Sequence, residues 1–193
     1  PDMAFYGPQK RGCELALRRE FGPARTLIAR PGLILGPHEN VHRVPYWLGR
    51  VARGGDMIAP GHPGRSFQYV DVRDLAGWLV EGALARLTGT YNVVNPPGRD
   101  TWGDWLGTCI DVIGSDARLH WVDDDVLIGH GIEVAWGLPM WFAEDGPGFG
   151  DARVRATGFH GRSLVETVTA SWKWLRSGPA PRGGYRPPPM SRS

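Results

Sequence analysis

The feature that most restricts the fold is a short apolar run, Thr26-Leu27-Ile28-Ala29, stopped by Pro31-Gly32 and preceded at once by a helical segment. A continuous run of this length, without polar alternation, suits a strand buried on both faces of a parallel sheet. Upstream, from Tyr6 to Glu20, the period is that of a helix. Tyr6, Lys10, Cys13 and Leu17 share one face, and Glu14 and Arg18 stand four apart on another. Gly22-Pro23 ends this helix, and Pro8 is tolerated only if it starts close to Tyr6, where the missing N–H has no helical partner anyway. A helix feeding a buried strand places the chain in the α/β class.

The remaining segments extend that reading. Val44, Trp47, Leu48 and Val51 have helical spacing over residues 44–53, and Gly54-Gly55-Asp56 makes a turn. Phe67-Gln68-Tyr69-Val70 reads as a strand, with Asp71 or Asp74 capping a helix whose buried stripe is Leu75, Trp78, Leu79, Gly82 and Ala83. Tyr91-Asn92-Val93-Val94 is a second sheet strand. Thr101 and Asp104 form a capping box for a helix with Trp102, Trp105, Leu106, Cys109, Ile110 and Ile113 on its apolar face, stopped by Gly114. Leu119 to Val122 reads as a strand, and Asp123-Asp124-Asp125 stands where the next helix needs a cap. Ser163 and Glu166 open the last helix, marked by Leu164, Val168, Ser171, Trp172 and Leu175. Beyond Arg176 the composition falls to Gly, Pro, Ser and Arg, so residues 177–193 are expected to form a disordered tail.

Composition narrows the function classes. Nine tryptophans and 41% hydrophobic content in 193 residues exclude a disordered chain, and most of these tryptophans are expected to be packing residues. The stretch from Trp136 to Phe142 is also a candidate cover for a substrate pocket. Net charge is +2, from 22 basic against 20 acidic residues, so no single-sign field favours nucleic acid or an anionic membrane. Cys13 and Cys109 fit neither a disulfide framework nor a metal spacing and read as core thiols in a reducing compartment. His38 and His42 are four apart, but Gly36-Pro37 precedes them and no third ligand is apparent, so no metal is expected. With no apolar run of membrane-spanning length, the expectation is a cytoplasmic protein. The chain opens at Pro1 close to an element interior, and we read it as a fragment.

The chemistry begins at Tyr6-Gly7-Pro8-Gln9-Lys10. A phenol and an ammonium four apart on a helix form an acid/base pair in which the cation favours the phenolate. Alone, Tyr-x-x-x-Lys is a weak pattern found on many solvated helix faces. It is followed, however, by Arg30-Pro31-Gly32-Leu33-Ile34-Leu35-Gly36-Pro37, then by Arg65-x-Phe67-x-x-Val70-Asp71-Val72-x-Asp74-Leu75-Ala76, then by Tyr91-Asn92-Val93. This succession resembles the extended short-chain dehydrogenase/reductases, also called the NAD-dependent epimerase/dehydratase family, from Tyr6 to about Leu175.

The resemblance implies a partial Rossmann-like parallel sheet, the C-terminal half of such a domain, with a small α+β substrate-binding lobe. Residues 1–40 and 67–96 would belong to the sheet domain, and 41–66 and 97–176 to the lobe. It further implies NAD or NADP as cofactor and a small-molecule alcohol or carbonyl substrate, in some members a nucleotide sugar. Tyr6 would be the catalytic acid/base and Lys10 would hold the nicotinamide ribose. Pro31 and Gly32 would lie beside the nicotinamide, where open α/β sheets place ligands. Arg65 resembles the arginine that grips a substrate pyrophosphate, although an exposed turn residue is an equal reading within Pro63-Gly64-Arg65-Ser66; His38 is expected at the substrate entrance. The glycine-rich pyrophosphate cradle and the family's serine would both lie upstream of Tyr6, and the intact protein would be a homodimer candidate. A non-catalytic relative, sensing NAD(P) or binding nucleic acid, is the alternative; the Tyr6–Lys10 pair speaks against it.

Overall fold

The computed structural model describes residues 5–143 and 148–177. Helix α1 (Tyr6–Phe21) carries Arg18 and Arg19 in its last turn, where the helix dipole favours cations. Gly22, at φ 77°, turns the chain into β1 (Leu27–Pro31), and Gly32 alone separates β1 from β2 (Leu33–Leu35). Then follow α2 (Arg43–Ala52), β3 (Asp56–Pro60), β4 (Tyr69–Asp71), α3 (Val72–Leu84), β5 (Gly89–Val93), α4 (Trp102–Ile113), β6 (Arg118–Val122), α5 (Asp124–Gly129), α6 (Ala152–Arg155) and α7 (Leu164–Ser177).

The six strands form three parallel pairs. β1 lies on β5 with Ile28 opposite Thr90, β2 on β4 with Ile34 opposite Val70, and β3 on β6 with Ile58 opposite His120. Parallel partners need a crossover, and helices provide it. The α/β class and the parallel pairing are as expected from the sequence. The sheet is nevertheless divided into pairs, and β3 was not anticipated, because its five residues directly follow Gly54-Gly55 and alternate only at Met57 and Ala59.

Two cores result. The larger joins α2, α4 and α7 around β3 and the end of β2, with Val44, Trp47, Val51, Trp105, Leu106 and Val168 almost wholly buried. Each such side chain contributes about 1.5–3 kcal/mol by leaving water. The smaller core gathers Val70, Leu75, Trp78, Tyr91, Val93 and Val154 between α3, α6 and β5. Capping follows local chemistry. Thr101 and Asp104 make the reciprocal box, Gly114 closes α4 at φ 69°, and Ser163 and Glu166 exchange the equivalent bonds ahead of α7.

Several local expectations are corrected. β1 is not buried on both faces: only Ile28 is fully buried, because the side toward α1 borders a cavity and α1 itself buries no residue. Cys13, on that helix, is exposed; Cys109 alone is a core thiol. Glu14 does not pair with Arg18. It takes Arg11 and Arg30, while Arg18 donates to Thr90 Oγ1. On α3 the inward stripe is Leu75, Trp78 and Gly82, which leaves Leu79 and Ala83 exposed. Asp71 caps α3 through the Arg73 N–H, and Asp74 instead binds Arg162. Asp123 precedes α5 without a side-chain cap bond, and Asp124 is committed elsewhere. Ser177 still belongs to α7, and the rest of the expected tail, 178–193, lies outside the described residues.

Candidate active site

The short step from β1 to β2 creates the site. Pro31 is the last residue of β1, and Gly32 N–H donates to Val93 O at the end of β5, fixing the turn against the neighbouring strand. Gly32 has no room for a side chain: an added Cβ would come within 2.7 Å of Val94 Cγ1 and 3.3 Å of the Gln68 carbonyl. Pro31 and Gly32 line two cavities, one on each side of this turn.

The first cavity, about 960 Å³, lies between α1 and the ends of β1 and β2. Tyr6, Lys10, Cys13, Glu14 and Leu17 reach it from α1, so the face read from periodicity is the face that lines it. Lys10 Nζ is 5.6 Å from the centroid of the Tyr6 ring, in cation–π range. The arginines in the wall are both neutralised. Arg30 is held by Glu14 through bonds of 2.7 and 2.6 Å, and Arg43 by Glu39 at 2.8 Å. Among the described residues this leaves Lys10 as the lining cation without a carboxylate partner. His38 also lines this cavity rather than that of Arg65; its backbone is left-handed (φ 65°) and its ring lies 5.2 Å from that of Trp174. His42 is left-handed too, so the two histidines do not share a helix face. No group of three or more potential metal ligands occurs among the described residues.

The second cavity, about 810 Å³, lies on the other side of Pro31-Gly32. Arg65 enters it from the turn after β3. That turn is set by Gly61, at φ 73°, where a Cβ would meet Arg65 Nη1 at 2.5 Å and Asp124 Oδ1 at 2.8 Å. Arg65 is not an exposed turn residue. Its guanidinium makes a two-pronged bond to Asp124 (3.2 and 2.6 Å) and donates to the Phe142 carbonyl (2.5 Å). Trp141 Nε1 completes the cluster, 2.7 Å from Asp124 Oδ1. Burial opposes ionisation of Asp124, but the donors from Arg65 and Trp141 outweigh it and hold its pKa below the usual carboxylate value. The rest of the wall is largely apolar, with Phe67, Ile128, Val134, Met140 and Phe149 prominent.

Of the site residues singled out in the sequence, Tyr6, Lys10 and His38 line the first cavity, Arg65 the second, and Pro31 and Gly32 both; Asp124, which holds Arg65, and Phe149, in the second wall, were not among them. Asp124 was hidden within an acidic triplet that reads as a helix cap. The Trp136–Phe142 stretch does reach the second cavity, through Met140, Trp141 and Phe142.

No family model and no curated protein matches the chain. Solved structures do. The UDP-glucose 4-epimerase of Thermotoga maritima, with UDP-glucose, is 19% identical at a TM-score of 0.63, over 89% of this chain and 53% of that one. The UDP-N-acetylglucosamine 4-epimerase of Methanobrevibacter ruminantium M1, in complex with UDP-N-acetylmuramic acid, is 17% identical at 0.67, over 89% and 53%. RMD of Pseudomonas aeruginosa, complexed with NADPH, is 16% identical at 0.60, over 86% and 52%. The chain has their fold. It spans about half the length of these proteins. The likeness read from the motifs thus holds at the level of architecture, with parallel strands and crossover helices arranged as in these proteins. No described helix is long and apolar enough to cross a membrane.

Proposed function

We propose that this chain carries the proton-transfer and substrate-binding part of an NAD(P)-dependent oxidoreductase or epimerase of the extended short-chain dehydrogenase/reductase type. The observation that carries the reading is the position of Pro31-Gly32 between two cavities, with Tyr6 and Lys10 in one and Arg65 in the other. A substrate carbon beside that turn can face a phenol from one side while its body rests in the second cavity.

The first cavity fits a nicotinamide riboside in size and donor set: a phenol and an ammonium lie along one wall and the backbone of Pro31-Gly32 along another. When bound, the nicotinamide accepts or returns a hydride at the substrate carbon. The Tyr6 oxygen takes the substrate hydroxyl proton as the carbonyl forms, and gives it back in the reverse step. Lys10 holds the ribose hydroxyls and keeps positive charge beside the phenol. His38 borders the same space. Sheet segments 1–40 and 67–96 would bear the cofactor side, and 41–66 with 97–176 the substrate side. The nucleotide sugars named for the neighbours are the substrates expected where Arg65 is released to an anion; its pairing with Asp124 argues for another class.

The test is NMR titration of the chain with nicotinamide mononucleotide. Binding at millimolar concentration, with shifts at Lys10, Gly32 and His38 that vanish in Lys10→Met, is the expected result. Shifts confined to other surfaces would remove the assignment.

A further inference from the structure

We infer that the second cavity is built for an uncharged, largely apolar alcohol or carbonyl compound, with an aromatic or alicyclic body, and discriminates against nucleotide diphosphates. The inference rests on the functional reading above and names its substrate class.

Charge comes first. Among the described residues lining this cavity, Arg65 is the one that bears a charge, and Asp124 satisfies it through two parallel bonds. Side-chain exposure of 16% for Arg65 and 18% for Asp124 keeps the pair poorly screened by water. A diphosphate entering here would have to displace the carboxylate from its fork and then sit beside that carboxylate, a like charge in a partly dehydrated site. Trp141 opposes the displacement, because its indole N–H also holds Asp124.

Hydrogen bonding points the same way. A sugar needs several free partners, and here most of the polar side-chain groups are occupied by the fold itself. Gln68 donates to Asn95 O and Phe149 O and accepts from Phe149 N–H, Trp102 donates to Pro60 O, and the Ser66 hydroxyl accepts from Gly98 N–H. What faces the space is the apolar wall, and Ile128, Phe142 and Phe149 are about half exposed at its rim. Such a surface gains most from a ligand that removes apolar area from water and asks for no new polar partner.

The experiment titrates the 193-residue chain with 1-tetralone, a neutral aromatic ketone, and separately with UDP and UDP-glucose, following the Trp102 and Trp141 indole N–H signals. We expect tetralone to shift both signals with a Kd at least about tenfold below that of either nucleotide, a gap worth about 1.4 kcal/mol. In Asp124→Asn, which removes the carboxylate charge an incoming anion would have to sit beside, UDP should bind about tenfold more tightly than to the wild type. Nucleotide binding in the wild type that equals or exceeds tetralone at these indoles overturns the inference, as does tetralone leaving both signals unmoved up to about 10 mM. The wild-type titrations decide the matter even if Asp124→Asn folds poorly. Nicotinamide mononucleotide reports on the Tyr6 cavity, so failure of the parent reading shows there and failure of the substrate class shows here.

Discussion

Glu14 on α1 grips Arg30 on β1 with both carboxylate oxygens, at 2.7 and 2.6 Å. Because α1 buries none of its residues, this bond is a principal tie between the helix carrying Tyr6 and Lys10 and the strand that ends at Pro31. The bonds from Arg30, with lesser help from Arg11, lower the Glu14 pKa to about 2. The sign follows: a carboxyl depressed in the folded state stabilises above its unfolded pKa, and that stabilisation is lost as pH falls through the folded value. The tie should therefore be complete above about pH 4.3 and fail toward pH 2. An NMR titration of the Glu14 carboxyl should place its midpoint near 2 in the wild type and higher, toward the ordinary glutamate value, in Arg30→Met, where Arg11 alone still lowers it. Glu14→Gln should cost below about 1 kcal/mol globally, since Arg30 is half exposed, yet speed amide exchange along α1. Unchanged exchange in α1 would show that the helix is held by other contacts.

Gly32→Ala tests why a glycine stands between the cavities. The methyl would meet Val94 Cγ1 at 2.7 Å and the Gln68 carbonyl at 3.3 Å, so β1 or β4 must shift. Overpacking of this kind costs about 1–3 kcal/mol. Urea unfolding should show that loss, and the shifts caused by nicotinamide mononucleotide and 1-tetralone should both weaken, because the turn borders both spaces. A variant as stable as the wild type would mean that the strands yield freely and that packing does not explain the glycine.

These relationships mark how far the sequence can be read. Thr101 with Asp104, Gly114, and Ser163 with Glu166 were legible because a cap is a local matter of three or four residues. The shared face of Tyr6, Lys10, Cys13 and Leu17 was legible for the same reason, since helical spacing alone puts them together. The Arg65–Asp124 pair spans 59 residues, and nothing local at Asp124 distinguishes an ion-pair partner from a cap. Burial of β1 on both faces was misjudged because a run of apolar residues records how each could be covered, not whether a helix lies close enough to do it. Likewise Leu79 sits one position off the Leu75–Trp78–Gly82 stripe, an angular offset that composition does not register.

Asp71 should prove the costliest of the caps to lose. Its side chain is fully buried and accepts from Arg73 N–H at 2.8 Å and from the Arg73 guanidinium at 2.9 and 2.6 Å. Burial disfavours its charge, but the Arg73 bonds outweigh that and keep its pKa below the usual aspartate value. Asp71→Ala removes the cap and the carboxylate that pairs with the Arg73 guanidinium, for a loss of about 2–3 kcal/mol at neutral pH. The difference from wild type should shrink as pH falls below the ordinary aspartate value of about 4, because the unfolded chain then takes up a proton that the folded carboxylate resists, and it should be lost as pH falls through the lower folded value. Denaturant midpoints at pH 7 and pH 3 check both halves. An undiminished gap at pH 3 would locate the effect in packing rather than in charge.

Tyr6→Phe and Lys10→Met should separate two roles within one cavity. Phenylalanine keeps the ring that Lys10 approaches at 5.6 Å and removes only the hydroxyl, so nicotinamide mononucleotide should bind within about twofold of wild type while proton transfer is lost. In an enzyme reconstituted with a pyrophosphate-binding half, turnover should fall by about 10²–10⁴, the range that a positioned acid/base supplies. Lys10→Met should behave differently, weakening mononucleotide binding because it deletes the cation in this cavity that has no carboxylate partner among the described residues. The decisive comparison is kcat against cofactor affinity in the two variants. If Tyr6→Phe turned over at the wild-type rate, the phenol would be a wall residue, and the hydroxyl proton would have to be moved by another group at the Pro31-Gly32 turn.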